Sequence, residues 1–142
     1  MKKSTAAAAA VIVHDLAEAN AALAAAVETG RAVLVWSAPE AAIFAGTGWF
    51  AAVERRARAA NPKASARFVL DCGERADLVQ EAFREGIKET CFTGRVSLAE
   101  RLADIATKSR ARLHRRRPRA LDLGETKDPA SACRHLLSGG LE

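Results

Sequence analysis

The chain has no tyrosine, two tryptophans, four prolines, one methionine and three cysteines in 142 residues. So few aromatics leave little surface for stacking bases or sugars. Cys72, Cys91 and Cys133 are odd in number, far apart and free of any CxxC pair. A disulfide framework or zinc cluster needs closer or paired spacing, so free thiols in a reducing, cytoplasmic compartment are expected. No stretch approaches the roughly 20 apolar residues of a membrane span, so no membrane association is expected. Lys2-Lys3 and the apolar residues after it faintly imitate a signal peptide, but the run stops at His14-Asp15, which reads as a strand end.

The basic excess is local. Lys108, Arg110, Arg112, Arg115, Arg116, Arg117 and Arg119, with His114, follow one another without a carboxylate between them. The formal net charge is +5, and without this stretch the chain is near neutral. The excess therefore belongs to a segment, where cations complementing a helix C terminus explain it most simply. Phosphate contacts through Arg112, Arg115, Arg116, Arg117 and Arg119 are the less favoured reading, because no aromatics are interleaved with them.

What is present is an alternation of apolar runs and helical patterns. Residues 10–13, 32–36, 66–70 and 89–92 are short apolar runs, and three of them are continuous, as in strands covered on both faces of a parallel sheet. Between them, residues 16–29 are Ala-rich and end at Gly30, a position suited to a left-handed cap. Pro39 opens a short helix, Gly46-Thr47-Gly48 interrupts it, and residues 49–60 resume with Trp49, Phe50, Val53 and Ala57 inward. Leu78, Val79, Ala82 and Phe83 form one stripe, and Leu98, Leu102, Ile105 and Ala106 another over residues 98–113. Four successive strand–helix units predict an α/β domain over residues 10–113, a small parallel sheet of half-barrel or flavodoxin-like form with helices packed on it. Residues 114–127 read as a mobile basic and polar linker, residues 128–140 as a short C-terminal helix, and residues 141–142 as a cloning scar. A sheet this small has open edges that a second copy could cover, so a homodimer is expected.

In such a sheet, ligands bind beyond the carboxyl ends of the strands. Those ends carry His14, Asp15, Ser37, Asp71, Cys72, Thr93 and Gly94, which form the candidate ligand site. Helix N termini meet there, which suits a small anion or a phosphorylated metabolite. Simple capping competes with this reading, because Asp15 with Glu18, Ser37 with Glu40, and Ser97 with Glu100 have capping-box spacing. Gly73-Glu74 separates Asp71 from the next helix, so its carboxylate is expected to be partly exposed, lightly paired and aimed at the ligand edge. Cys72 and His14 are the one nucleophile–base pair the spacing allows. No complete catalytic constellation can be assembled, no metal spacing appears and no cofactor is expected. Gly46-Thr47-Gly48-Trp49-Phe50-Ala51 matches a dinucleotide fingerprint in letters, but no strand precedes it, and it reads better as a kink carrying aromatics inward. The alternative function is a non-catalytic interaction or regulatory module using the basic tail.

One stretch carries a local resemblance. Glu81-Ala82-Phe83-Arg84-Glu85-Gly86-Ile87-Lys88-Glu89-Thr90-Cys91-Phe92-Thr93-Gly94, continuing from Leu98 to Arg112, is similar to the last helix–strand–helix of response-regulator receiver domains. It also resembles a βα unit of phosphate-binding (β/α)8 barrels, where a helix ends in Gly before a strand ending in Thr-Gly. The receiver resemblance implies a final strand ending in Lys-Pro, an acidic pair after the first strand and a strand presenting a phosphoacceptor aspartate, but Thr93-Gly94, His14-Asp15 and Trp36-Ser37 stand there instead. The barrel resemblance implies a half-barrel and a phosphate near Thr93 and Gly94.

Overall fold

The computed structural model describes residues 8–140, and the suggested scar at residues 141–142 lies outside them. Strand β1 (Ala9–Val13) leads into α1 (Leu16–Thr29), then β2 (Val33–Ser37), α2 (Ala41–Phe44) and α3 (Thr47–Ala60). Next come β3 (Ala66–Asp71), α4 (Ala76–Arg84), β4 (Glu89–Cys91) and α5 (Val96–Lys108). Strands β5 (Arg112–His114) and β6 (Leu121–Asp122), a 3-10 turn (Leu123–Glu125), α6 (Pro129–His135) and a wide last turn (Leu136–Gly140) complete the order.

Local chemistry accounts for the ends of α1. The Asp15 carboxylate accepts the Glu18 N–H at 2.8 Å, and the Glu18 side chain reaches back to the His14 N–H at 2.7 Å. The first bond satisfies a donor that the helix start leaves free, worth about 1 kcal/mol for the cap, and the second ties down the residue before it. Gly30 ends the helix in the left-handed region, at φ 70°, and returns its N–H to Ala26. The other two suggested capping boxes do not form. Ser37 belongs to β2, where its hydroxyl accepts the Asp71 N–H, and α5 starts at Val96 with no side-chain cap.

All six strands run parallel in the order β5-β4-β3-β2-β1-β6. From β1 to β5 each strand lies beside its predecessor. Right-handed crossovers between such neighbours put every helix on the same face, as in a half-barrel. The core shows this arrangement. Val11, Val13, Val33, Val35, Phe68 and Leu70 face the helical layer and pack with Leu23, Phe50, Val79 and Leu102. Phe50 meets Phe68 edge-on at 5.9 Å between ring centres.

The opposite face holds a second cluster of Ala10, Trp36, Val69 and Cys91, with Ile12, Leu34 and Ala120 against it. No helical residue takes part. What crosses this face is the connection from β5, at one edge, to β6, at the other. We call residues 115–120 the strap.

The structure therefore extends the four-unit reading. Helix α5 stops at Lys108 rather than near residue 113, and residues 112–114 become an edge strand. The stretch read as a mobile linker, residues 114–127, holds the end of β5, the strap, β6 and the 3-10 turn, with Leu123 only 1% exposed. Polar anchors hold it, and hydrophobic periodicity cannot register them. Among the described residues, no helix is long and apolar enough to cross a membrane.

Candidate functional site

The strand ends converge on one edge, and Arg117 of the strap occupies its centre. One guanidinium nitrogen donates to the Asp71 carboxylate at 2.8 Å and another to the Ser37 carbonyl at 2.8 Å. The same group lies over the Trp36 ring, 5.0 Å from its centre. The fork thus meets a charge, a carbonyl and a π face together, which a guanidinium can do and an ammonium cannot.

This corrects the expectation for Asp71. Its side chain is 5% exposed, and its other oxygen accepts the Gly73 N–H at 2.8 Å. The carboxylate is buried, fully engaged and turned to the strap. Ser37 is fully buried, accepting the Asp71 N–H at 2.9 Å and donating to the Ala38 carbonyl. These two residues hold the strap and have no free polar surface for a ligand.

The nucleophile–base pair does not form either. Burial, followed by the Asp71 charge, pushes the Cys72 thiol up to about 12, so the thiolate a nucleophile needs is suppressed. The His14 ring lies 3.5 Å from Glu18 and 3.3 Å from Asp122, and no hydrogen bond joins it to Cys72 among the described residues. Asp15 is an exposed helix cap. The Gly46-Thr47-Gly48 segment opens α3, with the Thr47 hydroxyl on Glu81 at 2.6 Å and Phe50 buried, so its letters carry no phosphate loop.

Thr93 and Gly94 stand differently. Thr93 is exposed, in the loop from β4 to α5, and its N–H is tied to the Gly73 carbonyl at 2.8 Å. Gly94 allows the tight turn there, because a Cβ would come within 2.5 Å of the Phe92 ring. Arg115 donates to the Phe92 and Gly94 carbonyls and lies 5.5 Å from the Phe92 ring centre. Helix α5 then starts at Val96, and Arg95 at its N-cap position supplies no side-chain cap. This corner brings together an exposed hydroxyl, an uncapped 13-residue helix and the cations Arg95 and Arg115.

A second polar group lies on the strap face and was missed in the sequence. The Arg67 guanidinium grips Glu89 at 2.7 and 2.8 Å, and His114 meets the same carboxylate at 2.8 Å. Burial works against the Glu89 charge, but the Arg67 and His114 hydrogen bonds outweigh it and hold the carboxyl down at about 2. His114 in turn meets the Trp36 ring edge-on at 5.3 Å, and the indole Nε1 is buried with no partner. Alternation along β3, β4 and β5 puts Arg67, Glu89 and His114 on one face, but only the strand order makes them neighbours.

No protein-family model matches the chain, and no curated protein matches it significantly.

Proposed function

We propose that the carboxyl-end edge of the sheet binds a small anionic or phosphorylated metabolite, at the corner where β4 runs into α5. The observation that supports this reading is the uncapped N terminus of α5 beside exposed Thr93 and the Arg115 guanidinium. Free first-turn N–H groups and the helix dipole favour an anion, and a nearby hydroxyl and two cations add to the attraction. The far corner of the edge is unsuited, since Asp15 and Asp122 flank His14 there. Of the candidate residues, Thr93 and Gly94 then contact the ligand, while Ser37 and Asp71 act at a distance by fixing the strap that carries Arg115.

A thermal-shift series with inorganic phosphate and sugar phosphates, with and without magnesium, tests it. The melting temperature should climb with the logarithm of ligand concentration. Thr93→Val and Arg95→Ala should flatten that climb. Equal climbs in wild type and both variants would reject the corner.

A second reading, a non-catalytic interaction module, draws on the filled centre of the edge. Arg117 closes the space between Ser37 and Asp71, as expected for a surface that meets a partner rather than encloses a ligand. A flat phosphate response would leave this reading in front.

A further inference from the structure

The strap face has an uneven charge balance. Its carboxylates Glu89 and Asp71 are 7% and 3% exposed, and both are matched internally by Arg67 with His114, and by Arg117. The cations are not matched. Arg112, Arg116 and Arg119 are all exposed, and none makes an ion pair among the described residues. Arg112 lies on the strap side of β5, since His114 two residues on turns to Glu89 while Leu113 joins the helical core.

The anchors hold this display in place. Arg115 and Arg117 are pinned inward, to the Phe92 and Gly94 carbonyls and to Asp71, and this fixes the strap so that Arg116 between them faces out.

We infer that the strap face, through Arg112, Arg116 and Arg119, binds the phosphate backbone of a nucleic acid strand without reading its sequence. Guanidinium forks match phosphate oxygens, and a strap whose backbone is already anchored loses little main-chain freedom on binding. A protein partner would need an apolar centre in its contact area. The exposed large apolar residues Val27, Ile43, Phe44, Val96 and Ile105 all lie outside the strap and β5. With no exposed aromatic in the band, bases have nothing to stack on, so contacts stop at the backbone. The surface is distinct from the Thr93 corner and stands without it.

The test is fluorescence anisotropy with a labelled single-stranded RNA of mixed sequence, about 20 nucleotides long, over a salt series. Each neutralised phosphate adds about 0.7 to the slope of log affinity against log salt, so three contacts give a slope of about −2. The triple variant Arg112→Ala, Arg116→Ala, Arg119→Ala should lower that slope by about 2 and weaken binding more than about tenfold at low salt. Circular dichroism checks that the triple is folded, and if it is not, the single variants Arg116→Ala and Arg119→Ala should each lower the slope by about 0.7. Thr93→Val should bind RNA as wild type does, which separates this surface from the metabolite corner. An unchanged slope in the folded variants would overturn the inference. Equal competition by poly-glutamate of the same length would overturn it too, and would assign the face to an acidic protein.

Discussion

Arg117 and Asp71, 46 positions apart, close the strap onto the sheet through a 2.8 Å contact between guanidinium and carboxylate. Asp71 is nearly buried and Arg117 is mostly so, at 5% and 22% side-chain exposure. Each is therefore costly without the other. Breaking a buried pair leaves one charge stranded, which typically costs 3–5 kcal/mol, and the partial exposure of Arg117 lowers that somewhat.

Arg117→Leu should accordingly destabilise by about 3 kcal/mol in urea unfolding. Asp71→Asn keeps an oxygen for the Gly73 N–H but loses the ion pair, and should cost about 1–3 kcal/mol. The double variant should cost clearly less than the sum, since each change removes the same contact. Additive losses would show that the two residues act independently.

Protease sensitivity follows from the same anchor. A mobile linker would be cut at once by trypsin, but the strap is tied down at Arg115 and Arg117. Wild type should resist cutting at Arg115 and Arg116, and Arg117→Leu should open both sites. Rapid cutting there in wild type would restore the linker reading of residues 114–127.

These residues show where sequence reading reaches its limit. Strands β1, β2 and β3 and helix α1 were legible because burial on both faces, or on one stripe, imposes runs and periods that a single sequence displays. Thr93 and Gly94 were legible as a strand end for the same reason. The strap was not, because its order comes from arginines bonding to carbonyls and carboxylates far away in the chain. Arg-Arg-Arg-Pro-Arg looks like solvated charge until the sheet puts Asp71 and the Ser37 carbonyl beneath it. Strands β5 and β6, of three and two residues, are too short to show any period. One signal was available: Asp71 and Glu89 stand in apolar strand segments, where a buried acid needs a matching cation, but the sequence alone does not say which cation reaches it.

The aromatic pair at the start of α3 separates core from rim. Phe50 is fully buried and meets Phe68, whereas Trp49 is half-buried, 5.8 Å from the Phe50 ring. Phe50→Ala should cost roughly 3–5 kcal/mol, the range for large-to-small core changes, and Trp49→Ala distinctly less. Melting at two protein concentrations would show whether Trp49 also meets a second copy, since a contact between copies makes the melting temperature depend on concentration. Equal losses at both positions would mean that Trp49 is a core residue.

The pH dependence of stability should report on Glu89. Its carboxyl is held at about 2 against an ordinary 4.5, so the folded state prefers the charged form. A depressed acid contributes its stability fully above its unfolded pKa, and loses it as pH falls from about 4.5 toward 2. The difference is worth on the order of 3 kcal/mol, since one pKa unit corresponds to about 1.4 kcal/mol. Lowering the pH from 6 to 3 should therefore cost wild type part of that amount. Glu89→Gln should lose stability at pH 6 and show a flatter curve below pH 5, because the titrating group is gone while Arg67 and His114 remain. Chemical unfolding at half-unit steps from pH 6 to 3 would measure both curves. Parallel curves would mean that the acid sensitivity comes from other carboxylates, and that Arg67 and His114 do not hold Glu89 in its charged form.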